Sequence, residues 1–275
     1  MRVVKAELNH KLTYCPSNRV NGVFDVGLFV NVIPYDDGYI GACRSGSTSL
    51  DDMIDILYFD ENLKLLKQDP ITGGEDPRCF FYNDTPYALT WKPQGAAGSN
   101  HFIYKLINLK TEEITILKIE GVPETPVSRL GKNWIPIVKD NCLFLVITMD
   151  PELIVFKCDV STGNCTWHTP YRDDLPITIS RGGTCCLFDD EHGVFFGLGH
   201  RTYDCHNHQP YLYTISEDLQ NITIGPDLLP SVKGVHDPLS LFKKDGKYFT
   251  SVAFFPIQAG DTMEGHSDLY EVNLI

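Results

Sequence analysis

Residues 75–91 read EDPRCFFYNDTPYALTW: a polar threshold, a short apolar strand, an Asn-Asp turn and a second apolar strand. Four further segments repeat that order, GLFVNVIPYDDGYIGACR at 27–44, KNWIPIVKDNCLFLVITM at 132–149, RGGTCCLFDDEHGVFFGLGH at 181–200 and HDPLSLFKKDGKYFTSVAFF at 236–255. Asp37, Asp84, Asp140, Asp190 and Asp245 mark the five turns. A recurrence of about 50 residues is the size of a four-stranded blade with its connections, so the array predicts an all-β, five-bladed β-propeller. The competing reading is a β-sandwich whose hairpins share only turn chemistry, but five thresholds rich in Asp, Asn, Arg and His exceed what hairpins require. Segments 101–108, 153–160 and 210–217 supply outer strands. Both MRVVKAELN and SDLYEVNLI are strand-like, which predicts that one blade is completed by strands from opposite termini.

The 275 residues, 43% of them hydrophobic, suffice for one core, and a single catalytic propeller domain over 1–275 is expected. With 23 basic and 36 acidic residues the formal charge is −13, which argues against nucleic acid or an anionic membrane as partner. No apolar run is long enough to span a bilayer, and the first residues lack the apolar stretch of a secretory signal. Nine cysteines without a CxxC cluster fit buried thiols in a reducing, cytoplasmic setting.

In a propeller the inner strands converge on the axis, and the residues that begin them surround one mouth of the channel. Asp76, Asn133 and Asp237 each stand eight residues before Asp84, Asn141 and Asp245, and Asn31 occupies a comparable position. Asp76 is the strongest acid/base candidate, because burial beside aromatic residues and the cation of Arg78 would compete to set its pKa. Glu75 points to the other face of an extended strand, and Glu75 with Arg78 also reads as a buried brace. Arg44 ends a strand at the height of a channel ligand. Lys132, Asn133 and Trp134 join an ammonium, an amide and a flat surface suited to a sugar ring. Arg181-Gly-Gly-Thr184 admits either a close ligand or a tight bend. His200 and Arg201 follow the second strand of the fourth unit, and His236-Asp237 opens the fifth. Two distant histidines without a clear third ligand are weak evidence for a metal, and none is expected; His206 and His208 fall in a polar stretch read as a loop, and Cys185 and Cys186 read as buried thiols.

Glu75-Asp76-Pro77-Arg78, Lys132-Asn133-Trp134-x-Pro136, Arg181-Gly-Gly-Thr184 and Gly199-His200, taken together, resemble the β-mannoside phosphorylases of glycoside hydrolase family 130 and the β-1,2-mannosyltransferases of glycosyltransferase family 108. The resemblance runs in motif order from Asn31 to His236. It implies a five-bladed propeller and an inverting reaction with Asp76 as single general acid/base. The sugar site would use Asn31, Arg44, Glu75, Arg78, Lys132, Asn133, Trp134, Thr184, His236 and Asp237. Lys132, Arg181, His200 and Arg201 would hold phosphate. The expected partners are a mannoside or manno-oligosaccharide with inorganic phosphate, mannose 1-phosphate or GDP-mannose, and no cofactor is required. Lack of a glycine-rich nucleotide motif tips the expectation towards the phosphorylase, with GDP-mannose-dependent transfer and a non-catalytic carbohydrate-binding propeller as alternatives.

Overall fold

The structure is a computed structural model that describes residues 4–20, 23–24, 27–45, 52–94, 101–119, 133–170, 179–204, 207–229, 233–256 and 263–275. Strands β1 (Ala6–Val20) and β2 (Val23–Phe24) precede the first blade, which is β3 (Leu28–Tyr35), β4 (Gly38–Ser45), β5 (Met53–Phe59) and β6 (Leu65–Gly73). Blade 2 holds β7 (Glu75–Tyr82), β8 (Thr85–Gln94), β9 (His101–Asn108) and β10 (Ile114–Ile116). A short β11 (Lys118–Ile119) then leads to blade 3, made of β12 (Ile135–Lys139), β13 (Cys142–Thr148), β14 (Ile154–Cys158) and β15 (Asn164–Trp167), where β11 adds in parallel to β15. In blade 4, β16 (Ser180–Arg181) and β17 (Leu187–Asp189) share the inner position against β18 (Val194–Asp204), followed by β19 (Asn207–Ser216) and β20 (Ile222–Asp227). Blade 5 is β21 (Val235–Lys244), β22 (Lys247–Phe255), β23 (Met263–Leu274) and, as its fourth strand, β1. The chain is therefore a five-bladed β-propeller, as its repeats predict.

Turn chemistry sets the blade hairpins. Asn83-Asp84, Asp140-Asn141 and Asp245-Gly246 all have positive φ and join Tyr82 to Thr85, Lys139 to Cys142 and Lys244 to Lys247 by two-residue loops. Positive φ at both central residues twists the loop to match the right-handed twist of its strands, and Asn, Asp and Gly bear that conformation at least cost. Ring closure is antiparallel, with Ala6 opposite Leu274 and Thr13 opposite Asp268. The Thr13 hydroxyl donates to Asp268 Oδ1 at 2.6 Å, and Tyr14 is buried against Phe59 of blade 1. Joining the two termini in one blade leaves the ring no open seam, which removes the exposed sheet edges there.

Bulges shape the thresholds. Between Glu75, opposite Trp91, and Arg78, opposite Leu89, β7 carries one residue too many, and Asp76 takes φ 45°. Similar shifts interrupt β3 between Leu28 and Asn31, with Phe29 at φ 56°, and β21 between Pro238 and Ser240. A bulge leaves a residue unpaired and re-aims its side chain, which is how a strand bound into a sheet can still direct Asp76 to the mouth. Ties between inner strands hold these thresholds together. Asn31 donates to the carbonyls of Ala42 (2.9 Å) and Pro77 (3.2 Å) and accepts from the Cys79 amide (3.0 Å), while the Ser240 hydroxyl donates to the Val32 carbonyl (2.7 Å).

Candidate functional site

Two charged clusters meet at the channel mouth. In the first, Arg44 at the end of β4 faces three carboxylates: it pairs with Asp52, lies 3.3 Å from Glu75 Oε2 and 3.5 Å from Asp76 Oδ1. Burial alone would lower the Arg44 guanidinium, but Asp76, Asp52 and Glu75 outweigh it and hold it above its usual value. Glu75 is further fixed through its backbone, whose carbonyl accepts the Thr90 hydroxyl at 2.7 Å. Asp76, Arg78, Thr90, Trp91, Tyr104 and Asn133 border a void of about 10 Å³, on the order of the space one water requires.

The second cluster lies where blades 4 and 5 abut. Asp237 Oδ1 is 2.8 Å from His208 Nδ1 and 3.7 Å from His200 Nδ1, and the two imidazoles stack at 5.0 Å. Burial drives His200 down to about 3, against the pull of Asp237, so it is neutral at physiological pH. Burial would raise Asp237, yet the neighbouring imidazoles and Arg78 prevail and keep its carboxyl below the usual carboxylate range. The imidazole nitrogens and carboxylate oxygen of His200, His208 and Asp237 lie within 4.8 Å of one another. Such a donor set suits a divalent ion, and in the structure it forms a hydrogen-bonded His-Asp pair with a stacked second ring.

Arg78 joins the clusters. It is buried, donates from Nη2 to Asn133 Oδ1 at 3.0 Å and from Nη1 to the Pro77 carbonyl at 3.3 Å, and is flanked electrostatically by Asp76 and Asp237. Burial lowers its pKa, and the two carboxylates partly offset the shift. A guanidinium remains protonated even so, which leaves a fixed cation under the influence of two buried acids.

Other sequence-predicted residues occupy different surroundings. Both ends of the Asn31 amide bond to backbone. Trp134 is buried and stacks on Tyr104 at 3.6 Å, with Phe156 at 5.7 Å, so its ring faces other core rings. Thr184 is buried within blade 4, where its hydroxyl donates to the Cys185 carbonyl at 2.7 Å and accepts from the Leu198 amide at 3.0 Å. The close approach that Gly182 permits is to protein: an added Cβ would lie 2.0 Å from the Asn133 carbonyl oxygen. Arg181 stands opposite His200 across β16 and β18. Arg201 turns outward, with Nη1 2.5 Å from Asp227 Oδ1, Nη2 donating to the Gly225 carbonyl at 2.7 Å and its guanidinium 4.6 Å from the centre of the Tyr211 ring. His236 is buried against Phe254. Lys132 lies outside the described residues. Burial pushes the Cys185 thiol up to about 12, which keeps it protonated.

Sequence reasoning missed Asp52 and His208. A signal for Asp52 was available, because Arg44 and Ile54 are paired across β4 and β5, so a hairpin register brings the start of β5 to the end of β4. His208 was masked by the polar composition around it, although it opens β19 and pairs in parallel with Val235 at the start of β21.

No family model matches the chain, and no curated protein matches it either. Among solved structures it is similar to an exo-β-1,3-galactanase from Phanerochaete chrysosporium (TM-score 0.63, 8% identity, 96% of this chain and 64% of that one). It is also similar to a xylan β-1,4-xylosidase from Bacillus halodurans C-125 (0.58, 12%, 93% and 54%) and an α-L-arabinofuranosidase from Lactobacillus brevis (0.57, 12%, 89% and 90%). Others are described as glycoside hydrolase family 43 proteins. The chain spans 54% and 64% of the first two structures it matches. This finding corrects the mannoside expectation: the like-folded enzymes are named for galactan, xylan and arabinofuranoside hydrolysis, so the phosphorylase and mannosyltransferase readings are withdrawn. Their partners, mannosides, inorganic phosphate, mannose 1-phosphate and GDP-mannose, go with them. The structure supplies a physical reason, since Arg201 is spent on Asp227 and His200 is neutral, and the phosphate set does not assemble among the described residues. What the likeness establishes for this chain is the fold, a five-bladed β-propeller shared with glycoside hydrolases.

Proposed function

We propose that the protein is a glycoside hydrolase acting on oligosaccharides of the xylan, arabinan or galactan type. The observation that carries this reading is that two buried carboxylates, Asp76 from the bulge of blade 2 and Asp237 from the threshold of blade 5, both act electrostatically on the buried Arg78 guanidinium. Hydrolysis with inversion needs two such groups, one to protonate the leaving oxygen and one to take a proton from the attacking water. Asp237 stays ionised, the state required of a base, and His208 orients it. Asp76 borders the water-sized void and takes the role of proton donor; Arg44 beside it favours its carboxylate, so donation requires that Asp76 take up a proton once substrate occupies the site, and Arg44 then stabilises the carboxylate left after transfer. The polysaccharide classes come from the names of the like-folded enzymes.

The test is a panel of aryl β-xyloside, α-L-arabinofuranoside and β-galactoside with the matching oligosaccharides, read by reducing-sugar release and by NMR of the first anomer formed. Hydrolysis of at least one class with inversion supports the reading. Sugar binding without turnover across the panel would replace it with a carbohydrate-binding propeller.

A further inference from the structure

At the end of the blades opposite the mouth, a cleft of about 1090 Å³ opens between blades 2 and 3, lined by Tyr82, Tyr87, Asn141, Lys157, Cys158 and Asp159 among others. Its wall on the blade 3 side is the tip of the β14–β15 hairpin. There Cys158 and Cys165 face each other directly across the two strands, and their sulfurs are 3.0 Å apart. Both side chains are buried, Cys165 more completely, and Cys158 is the one that borders the cleft.

The ladder places this pair at a position that accepts a covalent bridge. The Asp159 amide donates to the Asn164 carbonyl at 2.9 Å, and the His168 amide donates to the Val155 carbonyl at 2.9 Å. Antiparallel partners alternate between hydrogen-bonded and non-bonded pairs, so with 155–168 and 159–164 bonded, 158–165 is non-bonded. Partners of that kind have Cα atoms about 4.5 Å apart and their side chains closest together, inside the range that a disulfide spans. The turn between them is rigid, since the Gly163 amide donates to the Asp159 carbonyl at 2.8 Å and the Asp159 carboxylate accepts the Ser161 amide at 2.9 Å. Closing the bridge therefore requires side-chain rotation and no change of register. The contact also divides the labour: the Cys165 thiol donates towards Cys158 Sγ, and Cys158 is the residue at the cleft, placed to meet an incoming disulfide first.

We infer that Cys158 and Cys165 form a reversible dithiol–disulfide pair, a modification site that exchanges with small disulfides entering from the cleft between blades 2 and 3. Cys158, after losing its proton to solvent, attacks one sulfur of the small disulfide, forming a mixed disulfide and releasing one thiolate. Cys165, after losing its proton to solvent, attacks Cys158 Sγ and expels the second thiolate. Two protein thiols and one small disulfide become one protein disulfide and two small thiols, so the protein is oxidised by two electrons and the small disulfide is reduced by two. Because β11 pairs in parallel with Asn164 and Cys165, the bridge fixes the wall of the cleft and the strap beside it. This inference is independent of the proposed glycosidase activity.

The native protein, equilibrated with oxidised and reduced glutathione in graded ratio, is quenched in acid, denatured, alkylated and mapped by mass spectrometry. Oxidising mixtures are expected to remove two alkylatable thiols, lower the mass by two hydrogens and yield one bridged peptide joining Cys158 to Cys165, all reversed by reductant. Cys165→Ala is expected to accumulate one glutathione on Cys158 instead. Full alkylation of Cys158 and Cys165 in the wild-type protein at the most oxidising ratio, or a bridge mapping to other cysteines, would overturn the inference. The wild-type measurement stands even if the variant does not fold.

Discussion

Arg78 Nη2 donates to Asn133 Oδ1 at 3.0 Å, and this bond joins the threshold of blade 2 to that of blade 3. Asn133 holds φ 66°, a conformation that asparagine bears better than most residues, so the acceptor is aimed by its backbone. The guanidinium has two duties there, bracing one blade against the next and balancing Asp76 and Asp237.

Removing that cation leaves buried carboxylates uncompensated. Arg78→Met is expected to cost about 3–5 kcal/mol, the usual penalty for breaking a buried charge pair from one side. Urea denaturation at neutral pH measures it. A midpoint within error of the wild type would mean that the guanidinium contributes nothing to the balance described.

Stability should fall as the solution is acidified from near neutrality. His200 has an ordinary pKa of 6.5 in the unfolded chain and about 3 in the fold, so between those values the unfolded state binds the extra proton. Its contribution is fully present above pH 6.5 and is lost as pH falls towards 3, at up to roughly 1.4 kcal/mol per pH unit. Denaturation midpoints at pH 7, 5.5 and 4.5 for the wild type and His200→Gln report it. The variant should show the flatter profile, and parallel profiles would contradict the assignment.

The blade count was legible because hairpin turns and alternating apolar strands are local features, and Asn83, Asp84, Asp140, Asn141 and Asp245 adopt the positive φ that their residue types favour. Closure of the ring by the terminal strands was legible for the same reason. The site was legible in part. Asp76, Arg78, Asn133 and Asp237 could be placed because each begins an inner strand, but whether a side chain there faces the channel or a neighbouring blade depends on bulges and on packing between blades. Asn31 and Thr184 bond within the protein, and Trp134 stacks on Tyr104, a partner from another blade that no local pattern announces. His208 reaches Asp237 only because β19 and β21 lie side by side at their starts. Substrate class was the least legible, since a few short motifs carry less information than the fold as a whole.

Gly182→Ala tests the close passage of blade 4 against blade 3. The new methyl would meet the Asn133 carbonyl oxygen at 2.0 Å, where the obstacle is backbone and cannot rotate away. The expected loss is about 1–3 kcal/mol, the range for overpacking. Because Asn133 accepts from Arg78, the displacement should also reach the site and lower activity, measured alongside the denaturation midpoint. A variant with unchanged stability would show that the two strands are further apart than described.

Removing residues 1–14 takes away most of the outer strand of blade 5, including Tyr14, whose ring is buried against Phe59. Loss of that aromatic side chain alone is worth about 3 kcal/mol, and the seam it leaves exposes a sheet edge. The shortened chain should melt at markedly lower temperature or aggregate in size-exclusion chromatography. A monodisperse product with the wild-type melting temperature would contradict closure through β1.

The central claim, that Asp76 transfers the proton in glycoside cleavage, is tested most directly by the turnover of Asp76→Asn on whichever glycoside of the panel the wild type hydrolyses, with the melting temperature measured on the same preparation. Turnover is expected to fall by at least about 100-fold, the lower end of what general acid assistance supplies, while the fold and sugar binding persist. An aryl glycoside with an activated leaving group, which needs less protonation, should lose less than the corresponding oligosaccharide. Near-normal turnover on the oligosaccharide by a variant of unchanged melting temperature would contradict the account and leave Asp76 with a structural role beside Arg44 and Arg78.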